Sequence, residues 1–524
     1  MVKFLRFVVY ALLGLILSFQ NSALFAQGQI NPYFFFTSPP APVGSGARAM
    51  GVGGAFIAVA DDATAAMWNP GALIQLELPE ASVVLDSNYR NIDSQTATLY
   101  DVNFVSMSYP FTIQDVNMIL SLNYQRLFDY YLDFENSLKG DVIASQDASY
   151  LVKGTGSGAT RYDVISVTGI NLALDSEITG KVRGELGTVS PAFAIQITPK
   201  FSLGFTANFW KDGWFNDGGR YRSEHEEKSN GEFSQFNALW WDTDGDCTCN
   251  GGHKCDDTVY YYIDDPSCMD QLIPGNLVGG NPTYSKKKSF QTVTRTKQRM
   301  RMQGQSYNFG LLWDITPRWT LGAVYRTGAV IEVDREYRWF REQTSGWASL
   351  NQAPVSGEVN YDEHLTLPSA YGLGVGFRYS DALSFTSDVT VVRWDEYYYE
   401  PEEGDKYSLV TGLKKGVDDV APTVTARVGA EYLIIKPKYV VPIRGGFFWD
   451  QEPAIPNSDN YYGLTVGSGF AYKWFITDLT YFYRLGRDVH VGYSANAERT
   501  ELVEDAKGDV DQHQVMLSFI FHTP

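Results

Sequence analysis

A glycine-rich stretch near the start of the chain has the residue types of a phosphate-binding loop. It reads GARAMGVGGAFIAVADDATAAMWNPGAL and runs from Gly46 to Leu73. A nucleotide phosphate loop needs G-x-x-x-x-G-K-[ST], and a dinucleotide site needs G-x-G-x-x-G between a strand and a helix. The stretch fits neither spacing and has no lysine after its glycines. Nucleotide binding is therefore rejected as its role.

Carboxylates and cysteines cluster in one later segment. Asp242, Asp244 and Asp246 alternate in DTDGDCTC, and carboxylates at positions 1, 3 and 5 suit a calcium loop. Glycine stands at position 4 instead of 6 and His253 at position 12, so a solvated acidic turn is the alternative to a structural calcium site. In an exported protein the cysteines predict a local disulfide clamp, with a zinc site as the alternative. They are Cys247, Cys249, Cys255 and Cys268.

The histidines and the familiar nucleophile motifs predict no catalytic site. The six histidines fall mostly in loops or at strand ends, and neither G-x-S-x-G nor H-E-x-x-H occurs. The chain is therefore not expected to be an enzyme or to need a cofactor, with a structural calcium at the acidic turn as the open alternative.

The first 26 residues predict a secretory signal peptide. Lys3 and Arg6 precede an apolar run from Phe7 to Phe19, and a cleavage site follows Ala26. A membrane anchor is the alternative, but an apolar run of about 13 residues is short of the roughly 18 needed to span. Cleavage leaves a formal charge of about −19 − 2 = −21. An acidic, exported chain argues against nucleic-acid partners.

Long alternation with period two is the strongest structural signal. From Val116 to Phe134, apolar residues dominate one face and polar residues the other, which is typical of a strand. This run is much longer than the five or six residues usual in globular sheets. The 33 Tyr, 31 Phe and 12 Trp residues suit aromatic belts at two membrane interfaces.

Short turns pair these strands and give their number. Six turns predict twelve strands, and one unpaired strand at each end makes about fourteen. The turns lie near Pro110, Pro199, Pro317, Asp381, Pro437 and Ile476. The sequence thus predicts an all-β fold, a transmembrane antiparallel barrel in the outer membrane of a Gram-negative-type envelope. A soluble sandwich or propeller is the alternative, but its strands are shorter and no fixed repeat is present.

The glycine-rich stretch resembles the N-terminal signature of the long-chain fatty-acid transporter (FadL/TodX) family and of related PorV-type outer-membrane proteins. The resemblance implies that residues 27–79 are an N-terminal extension and a hatch that plugs the lumen of a barrel formed by residues 80–524. The hatch positions are Gly51, Gly53, Gly54, Asp61, Asp62, Asn69 and Pro70. Inward glycines such as Gly372 and Gly467 would leave room for a plug, and the alternative is that they only allow the strands to bend.

The same resemblance implies passive uptake of hydrophobic compounds such as long-chain fatty acids or hydrocarbons. A long extracellular loop, residues 212–302, would capture them, unless its aromatic residues only pack the loop on itself. The candidates are Phe236, Leu239, Trp240, Trp241, Tyr260 and Tyr261. Exit through the barrel wall is implied near a bend in an early strand, where Arg126 interrupts an apolar face.

A second function remains open at this stage. PorV-type proteins are secretion-system components that bind exported proteins, and the long acidic loop suits protein contacts. The shared signature does not separate this alternative from lipid transport.

Overall fold

The computed structural model describes residues 45–92, 95–152, 163–214, 220–242, 277–279, 283–284, 288–345, 351–496 and 498–523. Within these ranges two short helices, α1 (Ala47–Gly51) and α2 (Ala65–Trp68), precede a 3-10 helix at Pro70–Gln75, and a second 3-10 turn covers Trp394–Glu396. The rest of the regular structure is β. The strands are β1 (Glu80–Ile92), β2 (Gln95–Ile113), β3 (Val116–Val152), β4 (Asp163–Thr198), β5 (Phe201–Asp212), β6 (Arg222–Asp242), β7 (Leu277–Gly279), β8 (Thr283–Tyr284), β9 (Lys288–Thr316), β10 (Trp319–Arg326), β11 (Ala329–Ser345), β12 (Gln352–Leu367), β13 (Ala370–Arg378), β14 (Leu383–Val392), β15 (Tyr398–Glu400), β16 (Tyr407–Ser408), β17 (Thr423–Ile435), β18 (Val440–Glu452), β19 (Asp459–Tyr472), β20 (Phe475–Ala495) and β21 (Leu502–His522).

Alternation places apolar side chains outside and polar or small residues inside. On β13, Leu373 is 67% exposed while its neighbours Gly372 and Gly374 face the lumen side. On β19, Val466 is 60% exposed while Thr465 is 3% exposed. A soluble protein would reverse this pattern, because its apolar residues turn away from water. The wall is therefore built to face lipid.

Fourteen strands close into a ring, as the sequence predicts. The ring runs through β1, β2, β3, β4, β5, β9, β10, β13, β14, β17, β18, β19, β20 and β21, each antiparallel to the next. It closes where β1 pairs with β21, from Glu80↔His522 to Ile92↔Val510. Closure satisfies the backbone groups of both terminal strands, which an open sheet in lipid would leave without partners.

Three wall strands are interrupted and then continue beyond the ring. β6 continues β5 along β4 and β9, β11 continues β10 along β9, and β12 leads into β13. β5 ends at Asp212 and β6 begins at Arg222, and the other two interruptions are residues 327–328 and 368–369. Much of the segment expected to be one loop, residues 212–302, is thus strand. The sequence hides these strands because polar contacts such as Lys297–Glu224 (2.9 Å) replace the apolar outer face.

The short turns mark one rim of the barrel. Five lie where the sequence predicts them, but the sixth is at Lys473–Trp474 and not at Ile476. Lys473 takes a φ of 53° there, which allows a tight turn inside an aromatic run. Among the described residues, no helix is both long enough and apolar enough to cross a membrane.

Candidate functional site: the lumen and the barrel wall

Residues 45–75, called here the N-terminal segment, lie inside the ring. Inward side chains from strands around the barrel bond to the backbone of this segment. These hydrogen bonds include Ala47 N to Ser518 Oγ (2.8 Å), Gly53 N to Thr465 Oγ1 (3.0 Å), Ile57 N to Asp388 Oδ2 (2.8 Å) and Thr206 Oγ1 to Ala66 O (2.8 Å). Because its partners come from opposite sides of the ring, the segment crosses the lumen.

Glycines on the wall let the N-terminal segment approach closely. A Cβ on Gly446 would overlap the backbone nitrogen of Gly53, and a Cβ on Gly204 would overlap the carbonyl group of Pro70. Gly53 itself has a φ of 73°, a conformation that favours glycine. The inward glycines therefore provide space for packing as well as freedom to bend.

The seven residues predicted for the hatch all lie in this segment. Gly51, Gly53 and Gly54 pack against barrel strands, and Pro70 abuts Gly204. Asn69 donates from Nδ2 to the carbonyls of Ile57 and Leu311, both at 2.8 Å. Asp61 pairs with Arg48, and Asp62 accepts hydrogen bonds from the backbone and hydroxyl of Thr64. Whether the segment opens as a hatch remains a prediction.

Buried ion pairs surround the N-terminal segment. Arg444 contacts Glu431 and Asp478, and these three side chains are no more than 10% exposed. Arg484 contacts Asp450 (3.0 Å) and Glu452 (2.8 Å). Arg48 adds a bond from the segment to Glu431 at 3.2 Å. In this part of the lumen each of these cations is held by carboxylates.

A second, apolar cluster fills the lumen on the far side of the segment, and it is called here the upper cluster. It combines strands of the wall with the connection between β14 and β17. Its members include Phe128, Trp210, Met302, Ile331, Leu365 and Trp394. This is the largest apolar interior that the described residues form away from the N-terminal segment.

A cavity of about 40 Å³ separates the upper cluster from the N-terminal segment. Its lining residues are Met67, Leu127, Asn208, Trp210, Ser306, Asn308, Arg326, Thr327, Ala329, Leu367, Pro368 and Ala370. Two strand interruptions lie here, because Thr327 follows β10 and Pro368 follows β12. Proline cannot donate to a sheet ladder, so Pro368 explains one of these breaks.

The wall splits beside this cavity. β2 pairs with β3 only from Phe104↔Gln125 to Ile113↔Val116, and beyond Gln125 the described part of β3 pairs with β4 alone. The register of β3 with β4 shifts between Arg126 and Phe128, which leaves Leu127 as a bulge. Leu127 lines the cavity and packs against both the upper cluster and the N-terminal segment.

Arg126 lies at the foot of the split. Its side chain is 1% exposed and contacts Asp101 on β2 and Asp86 on β1, the latter at 3.9 Å. These two carboxylates face each other across the β1–β2 ladder, an arrangement that is unfavourable without a cation. Arg126 thus connects β3 to β2 and, beyond it, to β1, where the β2–β3 backbone ladder ends.

The remaining sequence candidates fall largely outside the described residues. Phe236, Leu239, Trp240 and Trp241 belong to β6, and Asp242 ends it. Asp244, Asp246, Tyr260, Tyr261 and the four cysteines lie outside the described residues, so the calcium site, the disulfide clamp and the capture groove stay predictions. Within the described ranges no group of three or more His, Cys, Asp or Glu side chains is placed to hold a metal ion.

Sequence reasoning missed the cavity and the bulge at Leu127. The breaks at Gly328 and Pro368 are the local signals that could have indicated it, since both residues interrupt strands. No local signal in the sequence shows that these two breaks and Leu127 line the same part of the lumen.

Comparison with known proteins agrees with this architecture. The family model described as "Outer membrane protein transport protein (OMPP1/FadL/TodX)" matches residues 159–521. This match begins after the glycine-rich stretch, so it is independent of the N-terminal resemblance. No curated protein matches the chain.

Solved structures of this architecture are similar at low identity. A CymD monoaromatic hydrocarbon channel shares 15% identity, covers 92% of this chain and 98% of its own, and has a TM-score of 0.48. A Pseudomonas aeruginosa FadL homologue shares 13% identity, covers 91% of this chain and 98% of its own, and has a TM-score of 0.48. The Pseudomonas putida toluene transporter TodX shares 13% identity, covers 92% of this chain and 98% of its own, and has a TM-score of 0.46.

An exported protein as partner has no support in these comparisons. The family model covers more than two thirds of the chain, and the closed ring of fourteen strands is the architecture expected from the sequence. The chain belongs to the OMPP1/FadL/TodX family and is an outer-membrane transport protein, not an enzyme.

Proposed function

We propose that the protein carries hydrophobic molecules passively through the outer membrane. The observation that supports this most directly is the apolar upper cluster, which leads to a cavity beside the split in the wall. A molecule in this cluster would reach the N-terminal segment, which acts as the hatch. It would then turn toward Leu127 and leave between β2 and β3.

The substrate class follows from the lining and from the relatives. Apolar side chains favour ligands that water rejects, because each buried CH₂ contributes about 0.8 kcal/mol. The solved relatives are titled as a hydrocarbon channel, a toluene transporter and a FadL homologue. We therefore assign long-chain fatty acids or hydrocarbons as the class of substrate.

Arg126 is assigned the role of holding the wall closed beside the exit. Its charge connects β3 to Asp86 and Asp101 where no ladder is described between β2 and β3. Arg126→Gln should change the rate of release into the membrane more than it changes capture from outside.

Mass spectrometry of the gently purified barrel is the first test. A fatty acid or hydrocarbon retained at near-stoichiometric amount supports transport and identifies the class. A barrel without lipid that retains an exported protein would contradict the proposal and favour the secretion alternative.

Uptake by cells that lack their own transporter tests the route. Ile331, fully buried in the upper cluster, is changed to Asn, and the adjacent Val330, 56% exposed on the outside, is changed in the same way as a control. We expect about tenfold slower uptake for Ile331→Asn, because an unpaired amide in an apolar path costs more than about 1 kcal/mol. Equal uptake by both variants would exclude the upper cluster from the route.

A further inference from the structure

The short turns at one rim of the barrel carry a row of exposed basic side chains. Short turns mark the periplasmic end of an outer-membrane barrel, so this rim meets the periplasmic leaflet. Five of the turns join strands that follow one another in the ring, from β4–β5 through β9–β10, β13–β14 and β17–β18 to β19–β20. The exposed basic residues in or directly beside these turns, which we call the basic rim, are Lys200, Arg318, Arg378, Lys436, Lys438 and Lys473.

The charge of the basic rim is opposite to that of the whole chain. The protein has 42 Lys and Arg residues against 61 Asp and Glu residues. In the six short turns, however, the carboxylates are only Asp115 and Asp381. None of the basic-rim residues forms an ion pair with a carboxylate in the part of the chain that the structure describes. These positive charges are therefore available to a partner outside the chain.

Several lysines at the opposite end of the barrel have carboxylate partners instead. Lys406 contacts Glu400 at 2.7 Å, and Lys414 contacts Asp405 at 2.8 Å. Such surface ion pairs contribute little to stability, but they place a negative charge beside each ammonium group. The two ends of the barrel thus present their lysines differently, and the paired lysines provide matched controls for the basic rim.

The basic rim lies where the apolar outer face of the wall ends. Ile435 is 55% exposed and directly precedes Lys436, and Trp474 is 54% exposed and directly follows Lys473. Exposed tryptophan and tyrosine side chains gather at the headgroup level of a bilayer. The Nζ atom of Lys473 lies 5.3 Å from the ring centre of Tyr472, which is itself 41% exposed. The ammonium group is therefore on the outer side of the wall, beside an aromatic residue of the lipid interface.

Phosphate groups of the periplasmic leaflet lie at this level of the wall. Lysine and arginine side chains near a membrane surface attract anionic headgroups. A zwitterionic headgroup also carries an ammonium group, for which the six turns offer few carboxylates. We propose that the basic rim binds the phosphate groups of anionic phospholipids in the periplasmic leaflet and gathers these lipids around one arc of the barrel.

The distribution of the charges favours a lipid leaflet over an acidic protein as the partner. The basic turns connect ten consecutive strands of the ring, so the charges follow its circumference and form no compact patch. A leaflet surrounds the wall and meets all of these turns at once. The turn between β2 and β3 carries Gln114 and Asp115 and no basic residue. Anionic lipids should therefore gather on the arc away from the split between β2 and β3.

The lipids retained by the barrel test this proposal. The full-length protein is reconstituted in vesicles of equal parts phosphatidylglycerol and phosphatidylethanolamine and extracted briefly in a neutral detergent. Mass spectrometry then measures the ratio of the two lipids that remain bound. We expect phosphatidylglycerol to be enriched roughly fivefold, because one basic residue near a membrane surface contributes about that factor. High salt during extraction should reduce the enrichment, since it screens exposed charges.

Substitutions at the two ends of the barrel locate the lipid site. A rim variant that combines Lys436→Gln, Lys438→Gln and Lys473→Gln should lose roughly half of the enrichment or more. Arginine at the same three positions keeps the charge and should keep the enrichment. The matched control removes three charges from paired lysines and should also keep the enrichment; it combines Lys297→Gln, Lys406→Gln and Lys414→Gln.

Two lipid results would overturn the proposal: no enrichment in the unchanged protein, or equal enrichment in the rim variant and the control. Purification of the same proteins from cells adds a third. An acidic periplasmic protein retained by the unchanged barrel and lost from the rim variant would assign this surface to protein docking. None of these measurements involves a transported molecule, so their failure would leave the proposed transport function untouched.

Discussion

Below the cavity the lumen is filled by residues 45–75, which meet the wall through glycines, backbone hydrogen bonds and ion pairs. Above it the lumen is filled by apolar side chains of the upper cluster. Contacts of the first kind are directional and fail when one partner is lost, because an unpaired buried charge is costly. Contacts of the second kind are non-directional and let an apolar guest replace an apolar neighbour. The lower half is therefore suited to sealing and the upper half to passage.

The largest expected difference in stability is between removing an arginine that is paired with carboxylates and removing one that is not. Arg444→Met leaves the buried Asp478 without its cation and leaves Glu431 with Arg48 alone, so we expect a loss of about 3–5 kcal/mol in the free energy of unfolding. Arg326→Met leaves no carboxylate unpaired and should cost only about 1 kcal/mol. Urea unfolding of both variants in detergent micelles measures the difference. Equal losses would contradict the distinction between paired and unpaired arginines.

A smaller effect is expected from adding one methyl group to the wall. Gly446→Ala places a carbon against the backbone of Gly53 and should cost about 1–3 kcal/mol and displace the N-terminal segment. Its neighbour Gly445 is the matched control, since a Cβ there would meet nothing closer than a carbonyl oxygen of Thr465 at 3.9 Å.

Single-channel conductance and limited proteolysis of residues 45–75 report on this displacement. Higher conductance and faster cleavage are expected for Gly446→Ala only. If both alanine variants behave alike, close packing at Gly446 does not hold the segment in place.

The smallest expected effect is a pH dependence in the stability of the N-terminal segment. Burial, together with the carboxylate of Glu80, raises the pKa of Asp62 to about 7, and Arg48 and Asp61 also face it. Because the pKa in the folded protein lies above the ordinary value of 3.8, folding favours the protonated form. This stabilisation is fully present below about pH 4 and is lost as the pH rises to about 7.

Hydrogen exchange around residues 60–66 should therefore be slower at about pH 5 than at about pH 8, after correction for intrinsic rates. Asp62→Asn should remove the difference, with Asp61→Asn as the neighbouring control. A difference that persists in Asp62→Asn would assign the pH dependence to another group.

The sequence predicts the ring well because every wall strand has one face toward lipid and the other toward the lumen. Alternation in runs such as Val116–Phe134 therefore reveals both the strand and its lipid-facing side. Above the membrane the outer face no longer meets lipid but water or polar partners such as Glu224, so the alternation weakens and the sequence predicts a loop for residues 212–302.

Contacts between residues that are distant in the chain set a second limit on what the sequence predicts. Arg444 on β18 meets Glu431 and Asp478 on two other strands, and Arg326 meets no carboxylate among the described residues. Both are simply inward arginines in the sequence, because pairing depends on strand register around the ring. The place of the N-terminal segment came from resemblance, since no local pattern shows which cavity a glycine-rich stretch fills.

The split between β2 and β3 also indicates where the bilayer ends. Ten residue pairs join the two strands between the turn at Gln114–Asp115 and the last pair, Phe104↔Gln125. Ten residues span about 33 Å along a strand, or roughly 25 Å of height at the usual tilt near 40°. That height equals the apolar band of an outer-membrane barrel, and unpaired strand edges are not tolerated within hydrocarbon. The split thus stands at the level of the lipid headgroups, so on the exit route proposed above a molecule would enter the outer leaflet without a water-filled pore ever crossing the membrane.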